Sequence, residues 1–157
     1  MKDISRLEEM IKIDFKNNKN LLKTALTHST YANEHKNCKH NERLEFLGDA
    51  VLGLVIADYC YEKFQVREGE LTEKRKSVVA NEIIFQVAEE MGLEEFLFIG
   101  KGENENKEEK ARQKRIGNAL EALIGAIFLH HDYEIAKKFV ISIFSQHIEA
   151  LSKEYYG

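Results

Sequence analysis

Apolar residues recur at three- and four-residue spacing through most of the chain, as at Leu44, Leu47, Val51, Leu54 and Val55, which is the period of one face of an α-helix. No segment of comparable length alternates with period two, so no strand is required. The pattern predicts helices over about residues 4–13, 20–29, 41–64, 72–91, 107–129 and 133–156, with polar connections at 31–40, 65–69 and 100–107. Proline is absent and only nine glycines occur, so few positions force the backbone out of a helix. The predicted fold class is all-α. Neither an internal repeat nor a sustained heptad is present, which argues against solenoids and coiled coils.

The chain has 157 residues, 43% hydrophobic and 32% charged, enough for one domain with a real core. The expectation is a single domain over 1–157. Its longest uninterrupted apolar stretches, 50–57 and 122–129, fall well short of the roughly 20 residues that span a bilayer. A secretory signal needs a basic start and an apolar core, and Asp3, Glu8 and Glu9 stand there instead. Cys38 and Cys60 form no CxxC pair, and this fits a reducing compartment. The expected setting is the cytoplasm. The net charge is −4, which on a simple rule opposes nucleic-acid binding. That rule fails if the acids gather in a metal site, because a bound cation reverses the sign of an acidic pocket. Between Lys101 and Arg115, six basic residues stand against four acidic ones, and this charged stretch is the expected mobile loop.

Two stretches carry chemistry. In NERLEFLGDAVLGLVIADYCY, Glu42, Glu45 and Asp49 fall within about 60° of one another on a helical wheel. Like charges so spaced destabilise an isolated helix, so the stripe needs a cation, basic partners or open water. The same side continues through Gly53 and Ile56, and the opposite side carries Leu44, Leu47, Val51 and Leu54. Apolar residues on both sides predict a central, buried helix. In GNALEALIGAIFL, Asn118 and Glu121 share a face with Gly125. A glycine one turn beyond the oxygen side chains, Gly53 on the first helix and Gly125 on the second, lets two helices approach closely and pool those oxygens. An oxygen-only set suits Mg²⁺ or Mn²⁺ rather than zinc. The alternative is a solvated or salt-bridged face. A di-iron bundle needs Glu-x-x-His, and no histidine here has Glu three positions before it. His35, Cys38 and His40 lack the fourth ligand and the spacing of a zinc site. Cys60 is expected in the core, and His130, His131 and His147 at the surface.

NERLEFLGDAVLGLVIADY, together with ALTHSTY at 25–31, EGELTEKRKSVVANE at 68–82 and NALEALIGAIFL at 118–129, resembles the endonuclease domain of the ribonuclease III family in order and spacing, over nearly the whole chain. The resemblance implies an all-helical, Mg²⁺-dependent nuclease, with Mn²⁺ able to substitute, that cuts double-stranded RNA to staggered ends with 5′-phosphate and 3′-hydroxyl. It also implies a homodimer whose two sites share one valley, and ribosomal-RNA processing as the cellular task. Carried over by motif, Glu45, Asp49 and Glu121 are direct metal ligands. Glu42 and Glu68 are further acids of the valley, and Phe46 is an aromatic knob entering a socket on the partner subunit.

Setting aside Glu42, Glu45, Asp49, Glu68 and Glu121 leaves the rest of the chain at +1. Lys74, Arg75, Lys76, Arg112, Lys114 and Arg115 are the expected phosphate contacts, read by A-form shape rather than by sequence. Two features depart from the family pattern. Asn118 stands where the family has a metal-ligand Asp, so it offers a carbonyl oxygen without charge. This implies weakened activity or, as the alternative, a non-cleaving RNA-binding or scaffolding protein. The second expected departure is the lack of a double-stranded-RNA-binding domain in this chain.

Overall fold

The computed structural model describes residues 2–105 and 107–153. The described elements are helical: α1 Ile4–Ile11, α2 Lys19–Ala25, α3 Ser29–Glu34, α4 Glu42–Lys63, α5 Glu68–Val78, α6 Asn81–Glu90, a 3-10 turn Leu93–Phe96, α7 Lys101–Glu105, α8 Glu109–His130, α9 Tyr133–Ile143 and α10 Ser145–Lys153. One isolated parallel bridge joins Thr27 to Phe98. No helix among the described residues is long and apolar enough to cross a membrane.

Helix α8 is the axis of the fold, and from Arg115 to Ile127 only Asn118 on it is not buried. Against it lies α4, the other 22-residue helix. Glycine sets their separation. A Cβ on Gly48 would stand 1.6 Å from the carbonyl oxygen of Glu121, and one on Gly125 would stand 2.5 Å from the carbonyl oxygen of Leu44. The close approach is therefore made by Gly48 and Gly125. Gly53, the residue expected from sequence, meets nothing within 4 Å. It lies on the open side of α4, whereas Gly48 shares the buried face of Leu44, Val51, Leu52 and Val55.

That open side also limits the expectation of a central, buried α4: Leu54 is 56% exposed and Tyr61 76%, beside Phe46 at 81%. Register at the start of α4 comes from Asn41. Its side-chain amide donates to the Ala25 carbonyl (3.1 Å), its backbone N–H donates to Thr27 (2.9 Å), and its own carbonyl accepts from Glu45 (2.8 Å).

Several predicted boundaries shift for local reasons. The segment 72–91 is two helices, because Ala80 adopts an extended backbone (φ −63°, ψ 142°). Likewise 133–156 breaks at Phe144, whose fully buried ring anchors the turn between α9 and α10. Residues 154–156 lie outside the described ones. The connection 31–40 begins inside α3, where the His28 ring accepts from the Thr30 N–H as an N-cap and Tyr31 stacks on His35.

The charged stretch is likewise mostly helical over its described residues, with Lys107 and Glu108 outside the helices. Gly100 and Lys101 donate their N–H groups to Thr30 Oγ1 and Glu34 Oε1 (both 2.9 Å), which docks α7 on α3. Residues 109–115 form the first turns of α8. Cys60 is buried as expected. The histidines expected at the surface are half-buried: His130 stacks on Phe15 and His131 bonds the Asp14 carbonyl.

The two glycines of α4 separate in a stability measurement. Gly48→Ala drives a methyl into the α8 backbone and is expected to destabilise the protein by about 3 kcal/mol or more, at or beyond the upper end of overpacking costs. Gly53→Ala adds a methyl in open space and is expected to stabilise by about 0.5–1 kcal/mol. Urea denaturation of both variants checks the contrast.

Candidate metal centre and acidic cleft

Because α4 and α8 touch through glycine, the side chains flanking that contact share one rim. An open cleft of about 1180 Å³ runs along it. From α4 it receives Glu42, Glu45, Phe46 and Asp49; from α8 it receives Lys110, Lys114, Arg115, Asn118 and Glu121; His28, Asn81 and Glu103 complete its ends. Glu121 is 7% exposed, and among the described residues no cation pairs with it.

Burial first, then hydrogen bonding and charge from Asp49 and charge from Glu45, push the Glu121 carboxyl up to about 8. The Glu45 carboxyl is also raised, by burial and by the neighbouring charge of Glu42; Lys114 pulls it the other way and Asp49 adds to the rise. These acids are thus held together against their own repulsion, so Glu121 keeps its proton near neutral pH unless a cation compensates its charge. Asn118, half-buried on the same face of α8, adds a neutral amide. Among the described residues no group of three or more His, Cys, Asp or Glu side chains is arranged to hold a metal ion unaided. The hard-oxygen set and the burial of Glu121 suit an ion that keeps part of its water shell, as Mg²⁺ does.

The other expected residues divide. Glu68 heads α5, exposed, and does not line the cleft of this chain. Lys74 is not available as a phosphate contact: it is 8% exposed, donates to the Leu151 carbonyl (3.2 Å) and lies over the Phe64 ring (4.3 Å). Arg112 is likewise occupied, by Glu89 (2.7 Å), Glu94 (2.8 Å) and Glu109 (2.9 Å), and ties α8 to the turn after α6. Arg75 and Lys76 are exposed on α5 away from the cleft, and Lys76 lies 3.7 Å from Glu73.

Arg115 does line the cleft. It is buried, paired with Glu103 at 3.1 Å, and its Nε has no partner among the described residues. The lining residues that sequence reasoning missed include Lys110 and Glu103. Lys110 was within reach of it, at positions four and eight before Lys114 and Asn118 on one helical face. Glu103 was not, because only the docking of α7 brings it to α8.

A family model described as Ribonuclease-III-like matches residues 18–147. Ribonuclease 3 of Moorella thermoacetica is 46% identical over 132 residues, 83% of this chain and 56% of that protein. Ribonuclease 3 of Clostridium acetobutylicum is 43% identical over 147 residues, 93% and 63% respectively. The chain thus spans between 56% and 63% of the length of these two relatives. Among solved structures, the nuclease domain of ribonuclease III from Campylobacter jejuni superposes with a TM-score of 0.83 at 36% identity, covering 94% of this chain and 99% of that one. That protein is described as flexible in a region involved in dimer formation. Dicer from Pichia stipitis superposes at a TM-score of 0.65 and 27% identity, covering 88% and 59%.

The buried acid sets a pH dependence. Folding raises the Glu121 carboxyl from 4.5 to about 8, so between those values the unfolded chain has released a proton that the fold retains. Stability of the metal-free protein is therefore expected to fall as pH rises through that window. Thermal melts of the metal-free protein at pH 5 to 8.5 check this. At pH 8, Glu121→Gln is expected to raise Tm by several degrees and to remove the further rise that Mn²⁺ gives the unsubstituted protein.

Proposed function

The chain belongs to the ribonuclease III-like family, and from that premise we propose that it is a divalent-metal-dependent endoribonuclease acting on double-stranded RNA as a homodimer. The observation that carries the reading is the burial of Glu121 beside Asp49 and Glu45 with no cation paired to it among the described residues. Asp49 and Glu121, with Glu45, are the residues that would hold Mg²⁺ or Mn²⁺, and Asn118 offers a carbonyl oxygen. When bound, such an ion neutralises a non-bridging phosphate oxygen, lowers the pKa of a water and stabilises the leaving 3′ oxygen. The products are then a 5′-phosphate and a 3′-hydroxyl.

The chain's own residues do the rest. Lys110 and Lys114 face the cleft from α8 and offset the repulsion between acids and RNA backbone. Arg115, fixed by Glu103, adds a third positive group. Recognition is by A-form shape and 2′-hydroxyls, since side chains cannot read the deep major groove of duplex RNA.

A second copy is supported by the open side of α4. Phe46, Leu54 and Tyr61 lie there at helical spacing, with Ala50 and Ala57 between them. An apolar stripe rimmed by charge marks an interaction surface, and a two-fold partner would bring two acidic clefts together, one per strand, to leave staggered ends. Glu68, outside the cleft of its own chain, is assigned to the shared valley of the dimer. A cytoplasmic setting fits the two free cysteines, and ribosomal-RNA and other RNA processing fits a nuclease that reads shape rather than sequence.

Asn118 supports a second reading, a weakened or non-cleaving double-stranded-RNA-binding or scaffolding protein, because an amide supplies an oxygen but no charge.

Cleavage of a long duplex RNA across a Mg²⁺ series separates the two readings. The nuclease reading expects cutting that rises with Mg²⁺, and Asn118→Asp is expected to lower the Mg²⁺ requirement by about 10- to 100-fold, the range seen when a metal centre's supporting groups are changed. No cutting by either form at high Mg²⁺ overturns it in favour of the scaffold. Phe46→Glu puts a charge into the proposed interface, and light scattering is expected to show a monomer where the unsubstituted protein is a dimer.

A further inference from the structure

Resting on the duplex-RNA reading above, we propose that His28 and Glu103 form a subsite for one ribose 2′-hydroxyl at the end of the cleft, and that through it the protein distinguishes RNA from DNA. Arg115, whose guanidinium holds Glu103, stands three and six residues before Asn118 and Glu121 on α8. The subsite is therefore displaced by roughly 5–9 Å along the helix axis from the oxygens assigned to the metal, and it uses none of them.

The hydrogen bonds of the His28 ring assign its proton. Nδ1 accepts the Thr30 N–H (3.3 Å) and lies 2.7 Å from Thr30 Oγ1. That hydroxyl oxygen already accepts the Gly100 N–H (2.9 Å), so its own proton goes to Nδ1. An Nδ1 that accepts from two donors carries no proton, and the neutral ring then holds it on Nε2. Nε2 has no partner among the described residues, and the half-buried ring lines the cleft. Burial lowers the ring below the ordinary histidine value, which keeps it neutral at neutral pH; of the charges that bear on it, that of Glu103 is the strongest and that of Arg115 the next.

Glu103 arrives on the segment that fixes Thr30. Gly100 lies so close to Thr30 that a Cβ on it would stand 2.8 Å from the Thr30 backbone, and the Lys101 N–H is held by Glu34 (2.9 Å). Three residues past Gly100, Glu103 Oε1 accepts from Arg115 Nη1 at 3.1 Å. Arg115 is only 7% exposed and is fixed by this one contact, which gives the half-buried carboxylate its counter-charge. Glu103 Oε2 makes no bond among the described residues, and Glu103 lines the same cleft as His28.

Donor and acceptor together select the ligand. His28 offers an N–H and Glu103 a carboxylate oxygen. A phosphate oxygen can only accept, and it would meet the carboxylate with like charge. A hydroxyl accepts from Nε2 and donates to Oε2 at once, and the 2′-hydroxyl is the group that RNA has and DNA lacks. Lys110 and Lys114, exposed at the same cleft, remain for the phosphates.

Single 2′-deoxy substitutions walked along a self-complementary RNA duplex, each falling on both strands, test this by fluorescence anisotropy with Ca²⁺ in place of Mg²⁺. At one position the unsubstituted protein is expected to lose about 5- to 10-fold in affinity, the worth of one hydrogen-bonded hydroxyl. His28→Asn keeps a side chain able to cap α3 but lacks the Nε2–H. At that position it is expected to bind the RNA and the 2′-deoxy duplex within about 2-fold of each other, as a double-mutant cycle requires of direct partners. Glu103→Gln keeps an oxygen for Arg115 and loses the free acceptor, and it is expected to shrink the difference to about 2- to 3-fold; it carries the test alone if His28→Asn does not fold.

A duplex with no sensitive position, or a sensitivity that both variants keep, overturns the proposal. So does an equal loss by His28→Asn at every position with a salt dependence shallower by about one phosphate contact, which makes His28 a phosphate ligand instead. Cleavage by the same samples in Mg²⁺ keeps the two readings apart. Cleavage without a hydroxyl-sensitive position removes the subsite alone, a hydroxyl-sensitive position without cleavage removes the nuclease reading alone, and neither binding nor cleavage of duplex RNA removes both.

Discussion

The close contact of two helix backbones through Gly48 and Gly125 is the constraint on which the rest depends. Two α-helices carrying ordinary side chains pack with axes about 8–10 Å apart. Removing the Cβ from both at the crossing lets backbone meet backbone, so that short side chains such as Asp49 and Glu121 face each other. Were either glycine to carry a side chain, the helices would separate and the acids with them. The buried rows around the contact, Leu44, Val51, Leu52 and Val55 on α4 and Leu120, Leu123, Ile124 and Ile127 on α8, hold the crossing in place.

This arrangement stores an electrostatic conflict inside a well-packed core. Glu121 is buried beside like charge, and burial first, then Asp49 and Glu45, raise its carboxyl. Residues elsewhere are arranged to support the site rather than to relieve it. Arg115 and Arg112 spend their charge on Glu103 and on the acids of α6, α8 and the following turn, so they brace α8 without neutralising Glu121. A fold that keeps its own cations away from a buried carboxylate leaves that place open to an external ion.

Much of this was legible in the sequence. The helical class, the stripe of Glu42, Glu45 and Asp49 and the face of Asn118 and Glu121 all follow from the 3.6-residue period, because each lies within one regular helix. The errors lie where another part of the chain decides. Lys74 reads as a surface cation within EGELTEKRKS, yet the Phe64 ring and the Leu151 carbonyl, from α4's end and from α10, bury it. Arg112 stands in a basic run, yet acids from three places claim it. Gly53 continues the acidic stripe with the better spacing, yet Gly48 makes the contact, because the packed face of α4 is turned by its apolar rows and not by its acids.

By itself, then, the sequence determined the helices, the identity of the oxygen-bearing groups and which of them share a face, since these depend on periodicity and side-chain chemistry over a few turns. Only the tertiary structure decided which glycine pair closes the contact, which basic residues remain free to meet a phosphate and which acid is buried. Those properties depend on distances between segments remote in sequence, and burial and Coulomb interaction act through space rather than along the chain.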